Sequence, residues 1–230
     1  MLAFGLVMGS KTEERYVEES YQRPRLSEES MLKNASAFYD ELSTRRSIRH
    51  FSSQEVPEDV VKKCIQSAMT APSGANKQPW TFALISNKET KRKIRVAAEV
   101  EEEKFYNERA PATWLGDLSH LGTNSQKPFL EQAPMLIVLF AQKTGPEGER
   151  HYYVSESVGI AAGFLIAALH CAGLSTLTHT PSPMAFLNEI LERPKNEKPF
   201  LLLPVGFASD DCKVPTITKK TLSDTTLLFQ

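Results

Sequence analysis

Residues 158–172, Val-Gly-Ile-Ala-Ala-Gly-Phe-Leu-Ile-Ala-Ala-Leu-His-Cys-Ala, are apolar nearly all round, and this stretch constrains the fold most. A helix without a polar face has to be covered by other elements. Glu156 and His170 mark its ends and Gly173 reads as its C-terminal cap. It falls short of the roughly 20 apolar residues that span a membrane comfortably, so a central core helix is expected. Gly159 and Gly163 leave a small-residue stripe where another helix, from the same chain or a second copy, can approach closely.

Around that helix the pattern alternates without a regular βαβ rhythm. Ser27 caps a helix with Met31, Ala35, Phe38, Tyr39 and Leu42 on one face, ending at Ser43. A second opens at Pro57, carries Val60, Val61, Cys64, Ile65 and Ala68, and stops before Ala71-Pro72-Ser73-Gly74. Short apolar runs at 80–86, 135–141, 174–180 and 200–207 read as strands. A helix from Asn87 holds Ile94, Ala97 and Ala98 inside, and residues 110–130 lose regularity in the manner of a lid, placed at about 100–130. Ser182 and Pro183 open a helix with Phe186, Leu187, Ile190 and Leu191, and a polar tail follows with a short apolar end that could add a strand elsewhere. The predicted class is α+β, with a sheet flanked by helices. Residues 1–28 read as an extended arm and 29–230 as one domain. Within the arm, residues 1–9 are apolar but lack a basic flank and a cleavage pattern; a loose tail is expected, with a truncated signal or anchor as the alternative.

The chain carries 27 Lys and Arg against 28 Asp and Glu, so it has no basic field for nucleic acid and any anion site must be local. One candidate is residues 44–49, Thr-Arg-Arg-Ser-Ile-Arg, where Arg45, Arg46 and Arg49 stand beside the hydroxyls of Thr44 and Ser47. Guanidinium forks suit phosphate. Basic residues at a helix end that simply face water are the competing explanation. Residues 71–74 are small enough for their backbone to approach a flat ligand, or they form a plain connection. Glu102 and Tyr106 share a helix face, although a charge run such as 101–103 is commonly solvated. His179, between two threonines, is the only histidine near a plausible site, and a satisfied structural histidine is the favoured explanation. Cys64, Cys171 and Cys212 are scattered and odd in number, which fits a reducing compartment and no metal site. No Rossmann fingerprint, P-loop or nucleophile elbow is present; the local Arg/Ser cluster and small-residue loop suggest instead a non-Rossmann, phosphate-bearing cofactor.

Taken together, Thr44-Arg-Arg-Ser-Ile-Arg49, Thr70-Ala-Pro-Ser-Gly-Ala75 with Gln78-Pro-Trp80, Glu102 with Tyr106, Lys127, Thr178-His-Thr180 and Leu202-Leu-Pro-Val-Gly206 resemble the iodotyrosine deiodinases, a branch of the FMN-dependent nitroreductase superfamily. The likeness covers about residues 38–220. It implies a nitroreductase-like fold with a central mixed or antiparallel sheet, as an intertwined homodimer with one FMN at each interface. By that resemblance Arg45, Arg46, Ser47 and Arg49 would hold the FMN phosphate and ring edge, and Pro72, Ser73 and Gly74 would line the isoalloxazine. Thr178, His179 and Thr180 would follow the other rim, with Thr180 as the catalytic donor near N5, where a donor favours one-electron steps. Lys219 stands where the family places an arginine, keeping the charge without the bidentate fork.

Glu102 would take the ammonium of a halotyrosine zwitterion and Lys127 its carboxylate. Tyr106 would add a hydroxyl and a ring, and the Ala75 backbone would receive the phenolate. The implied reaction is reductive dehalogenation of iodo-, bromo- or chlorotyrosine, with electrons from NAD(P)H directly or through a reductase. Vertebrate members carry a membrane anchor; nothing in this sequence is long enough to be one, so a soluble, cytoplasmic protein is expected. Two alternatives remain open: a general NAD(P)H-dependent nitro or quinone reductase, and a flavin-binding protein without turnover.

Overall fold

The computed structural model describes residues 16–229, so the expectation for residues 1–9 lies outside the described residues. The chain divides into two compact units between Phe38 and Tyr39. That division falls inside helix α1 (Glu28–Ser43), which has no buried residue, rather than ahead of it. Ser27 accepts a hydrogen bond from the Ser30 N–H at 3.2 Å, as its N-cap role requires.

The larger unit is organised on four strands, β1 (Trp80–Ile85), β2 (Met135–Gln142), β3 (Ser175–Thr176) and β4 (Glu197–Gly206), in the order β1-β2-β4-β3. All the named pairings are antiparallel; the parallel contact is an isolated bridge between Ser47 and Thr176. The continuous apolar run of β2 follows from its position between two covered faces. Leu136, Val138 and Phe140 point to one core with Ile94, Ala98, Phe129 and Leu187. The alternate residues Met135, Ile137, Leu139 and Ala141 point to the other. The first face is covered by α3 (Lys88–Lys104), α5 (Phe129–Gln132) and α7 (Phe186–Ile190), the second by α2 (Glu58–Met69) and α6 (Val154–Cys171).

α6 begins four residues before the apolar stretch and takes in all of it but Ala172, which is its C-cap. Its inner residues Val158, Ala161, Leu165 and Leu169 are fully buried, but Gly159, Ile160, Gly163 and Phe164 are exposed, the two large ones at 41% and 43%. The helix is therefore covered on one side only within a single chain. α6 also meets the length and hydropathy of a membrane span, yet its inner side packs on α2 and the sheet.

Three expectations need correction. The irregular segment 110–130 contains a helix, α4 (Ala112–Ser119), because Trp114, Leu115 and Leu118 already have helical spacing. The strand expected over 174–180 is regular only at β3, after which His179 alone bridges Leu202. α7 starts at Phe186 instead of at Pro183. Among the described residues nothing after β4 joins the sheet; α8 (Leu222–Thr225) forms instead, closed by a capping box between Thr221 and Asp224. Leu227, Leu228 and Phe229 stay exposed.

Candidate active site

α3 aims the first charge. Ile94 and Ala98 occupy its core face, and Glu102 comes one turn further on the same face, so the helix carries a carboxylate inward. A π-helical turn over Phe105–Arg109 follows, a rare widening that is frequent at functional sites. It brings Phe105 and Tyr106 beside Glu102. The chain then crosses α4 and returns at Lys127, where α5 is about to start.

A clamp fixes that return. The Lys127 N–H donates to Glu99 Oε1 at 2.7 Å, Glu99 Oε2 accepts from Arg95 Nη1 at 2.7 Å, and Arg95 Nε donates to Glu131 Oε2 at 2.6 Å. The Lys127 side chain donates to the Asn124 carbonyl and its Nζ lies 3.1 Å from Glu102 Oε2. The side chains are only 7% and 11% exposed. Burial lowers the Lys127 ammonium from its ordinary value, and the Glu102 carboxylate opposes the shift. Desolvating two ions costs more than their attraction commonly returns, so a buried pair like this is poor evidence of a stability device.

Around the pair lies a cavity of about 280 Å³, walled by Phe105, Trp114, Leu118, Phe129 and Leu177 and edged by Arg49, Thr123 and Ser182. Phe105 packs edge-on against Trp114 at 5.0 Å and against Tyr106 at 5.3 Å. The Tyr106 hydroxyl is hydrogen-bonded to Thr123 Oγ1. The space can take a small aromatic molecule that carries both charges.

Thr178, His179 and Thr180 form the opposite wall. Their burial alternates: Thr178 and Thr180 are exposed and His179 is buried. The His179 backbone exchanges hydrogen bonds with Leu202 at 2.9 and 3.0 Å, and its ring packs edge-on against Phe129 at 5.6 Å. Its side chain is thus the buried one of the three, and it lines the same cavity as the two exposed threonines.

The arginines lie alongside. Arg49 lines the cavity, while Arg45 and Arg46 line a neighbouring hollow of about 300 Å³ with Thr44, His170 and Thr176. The Ile48 N–H donates to the Thr176 carbonyl at 3.1 Å, and this with the Ser47 bridge ties residues 45–49 to β3. Among the described residues none of the three guanidiniums has a carboxylate within 4.0 Å. Arg49 is partly buried, and burial lowers its pKa. A desolvated cation without a counter-ion is a fit for an anionic group such as a phosphate.

Residues 72–75 are not part of this cavity in the single chain. The Gly74 N–H donates to Ser157 Oγ at 3.3 Å, at the start of α6, and a Cβ at Gly74 would sit 2.8 Å from the Tyr152 carbonyl oxygen. Ala75, Asn76 and Gln78 all hold positive φ, at 48°, 51° and 47°. Local strain of this kind clusters at functional sites. Among the described residues the Ala75 N–H forms no hydrogen bond. Lys219, on the exposed tail, also lines no part of the cavity. One chain carries the expected site in separate pieces.

Sequence reasoning missed Glu99, Thr123, Phe129 and Leu177, and took Ser182 only as a cap. Glu99 was hidden in a charge run, and Phe129 reads as ordinary core.

The antiparallel sheet, covered by helices on both faces, with the cavity beside the end of α3, defines a class. Residues 42–207 match the Nitroreductase family, and the chain belongs to it. Within that family it is similar to iodotyrosine deiodinases. It is 50% identical over 204 residues to that of Haliscomenobacter hydrossis, covering 87% of this chain and 92% of the relative. It is 44% identical over 200 residues to iodotyrosine deiodinase 1 of Homo sapiens, covering 85% and 69%. A crystal structure of oxidized iodotyrosine deiodinase bound to FMN and 3-iodo-L-tyrosine superimposes with a TM-score of 0.72 at 28% identity, over 83% of this chain and all of that one. The FMN-dependent nitroreductase of Mycobacterium smegmatis in complex with NADPH shares the fold, with a TM-score of 0.68 at 21% identity, over 86% and 100%.

Proposed function

We propose that the protein is an FMN-dependent reductive dehalogenase of halotyrosines, acting on iodo-, bromo- and chlorotyrosine. The buried Glu102–Lys127 pair carries this reading. A ligand with an ammonium and a carboxylate can part the two side chains and re-pair both, Glu102 with the ammonium and Lys127 with the carboxylate. A ligand with one charge leaves the other side chain buried and alone, which costs on the order of 3–5 kcal/mol. The neighbouring Tyr106, Phe105 and Trp114 offer faces and edges to an aromatic ring.

Arg45, Arg46, Ser47 and Arg49 would hold the FMN phosphate and ring edge, with Lys219 as a further cation. Thr178 and Thr180 would contact the flavin on their exposed face, Thr180 as the hydroxyl donor nearest the chemistry. Pro72, Ser73 and Gly74 would line the ring from a second copy, and the free Ala75 N–H would receive the phenolate. The exposed stripe of Gly159, Ile160, Gly163 and Phe164 supports a homodimer, since a copy packed along it brings its own residues 72–75, anchored at the start of α6.

In the reaction the aryl carbon–halogen bond breaks, a carbon–hydrogen bond forms, and two electrons and one proton are consumed as halide leaves. When bound, FMN supplies the electron pair, drawn from NAD(P)H directly or through a reductase. Trp114 and Leu118 on the lid exclude water, and the charged pair fixes the ring's position. Three free thiols fit the reducing cytoplasm.

Titration of the flavin-loaded protein with 3-iodotyrosine is expected to quench flavin fluorescence. Glu102→Gln and Lys127→Ala should abolish the quench while FMN stays bound. Unchanged curves in both variants would remove the zwitterion site.

A further inference from the structure

The zwitterion reading leaves one polar atom of the cavity unused. His179 Nε2 is buried and has no hydrogen-bond partner among the described residues. It lies 3.9 Å from Glu102 Oε1, while the other oxygen of that carboxylate pairs with Lys127. The ring has little freedom to leave: its backbone is held at both N–H and C=O by Leu202, and Phe129 packs against its face or edge at 89°. Leaving a buried polar atom unpaired costs about 1–3 kcal/mol, and such an atom in a native structure calls for a partner that arrives later.

Its charge state limits what that partner can be. Burial first, then the cations of Lys127 and Arg49, lower the imidazole pKa to about 3, so His179 is neutral at working pH. A neutral ring does not serve as a counter-ion for Glu102. Among the described residues no hydrogen bond fixes the ring's tautomer, so an arriving ammonium selects the form with the proton on Nδ1, in which Nε2 is an acceptor. Two acceptors 3.9 Å apart can both reach one nitrogen at ordinary hydrogen-bond length, about 2.7–3.2 Å from each. A primary ammonium has three N–H donors, and Glu102 Oε1 uses one.

We propose that His179 is a second acceptor for the ligand's primary ammonium, shared with Glu102, and that it selects free α-amino acids over analogues lacking the amine. This rests on the zwitterion reading of the same cavity and assigns a specificity role to a side chain that this reading leaves idle. The ammonium settles between carboxylate and imidazole, while the Lys127 amine moves to the ligand carboxylate.

The test compares two ligands on the flavin-loaded protein: 3-iodotyrosine by calorimetry and, by competition at high concentration because it leaves Glu102 unpaired, 3-(4-hydroxy-3-iodophenyl)propionate, which lacks only the amine. His179→Ala is expected to weaken 3-iodotyrosine about tenfold and to leave the propionate unchanged. His179→Gln, whose amide oxygen can accept, should recover most of the loss. Equal weakening of both ligands would show a packing role and overturn the proposal, as would full affinity for 3-iodotyrosine in the alanine variant. A wild-type protein that binds no 3-iodotyrosine would instead overturn the halotyrosine reading itself, which keeps the two failures apart.

Discussion

Burial and the cations of Lys127 and Arg49 lower His179 to about 3 from an ordinary 6.5, and this makes stability depend on pH with a definite sign. Between those values the unfolded chain binds a proton at this site that the folded chain refuses. Stability therefore falls as pH falls from 6.5, at up to about 1.4 kcal/mol per unit, and this loss ends near the folded value. Urea unfolding of wild type and His179→Gln should show the wild type losing about 2 kcal/mol relative to the variant between pH 6.5 and 5. Parallel stability curves would contradict the neutral, buried assignment. The sequence showed this residue only as a histidine between two threonines. Its inward face depends on the bridge to Leu202, a long-range pairing that no local pattern announces. Glu102 was more accessible: Ile94, Ala98 and Glu102 recur at intervals of four, so the core face of α3 already pointed to a buried acid within an apparently solvated run.

At the scale of elements, the strands and helices that follow simple periodicity were legible, and the segments shaped by distant contacts were not. β2 announces itself by composition, whereas β3 is shortened because the chain past Thr176 leaves the ladder to form the cavity wall. The lid's end is set by a relay through Arg95, Glu99 and Glu131 across two helices. Lys91 reinforces it, donating to the carbonyls of Glu131, Ala133 and Pro134. Gly206, at the end of β4, lies under the same segment: a Cβ there would sit 2.6 Å from Pro134 Cδ and 3.2 Å from Phe51 Cδ1. Gly206→Ala is expected to destabilise the fold by about 1–3 kcal/mol, the usual cost of overpacking. Thermal unfolding measures it, and an unchanged midpoint would show that Pro134 can yield freely.

For the whole molecule, the separation of residues 72–75 from the cavity and the bare apolar side of α6 are what support the proposed homodimer, in which a second copy would complete the site. A charge at Phe164, which is 43% exposed, should oppose that contact without entering the core. Phe164→Glu is expected to sediment as a monomer and to lose bound flavin. A dimeric variant with full flavin content would place the interface elsewhere. The small-residue stripe was visible in the sequence, but that the loop at 72–75 sits at the start of α6, beside Ser157 and away from the cavity, was not. By the proposed function, the charged pair in this cavity commits a nitroreductase-family protein to halotyrosines. The most direct measurement is iodide release from 3-iodotyrosine by the dithionite-reduced, flavin-loaded protein, run beside reduction of a nitroaromatic compound. The expected result is one iodide per electron pair, lost in Lys127→Ala. Rapid nitroaromatic reduction with no iodide release would contradict the claim and leave a general nitroreductase in its place.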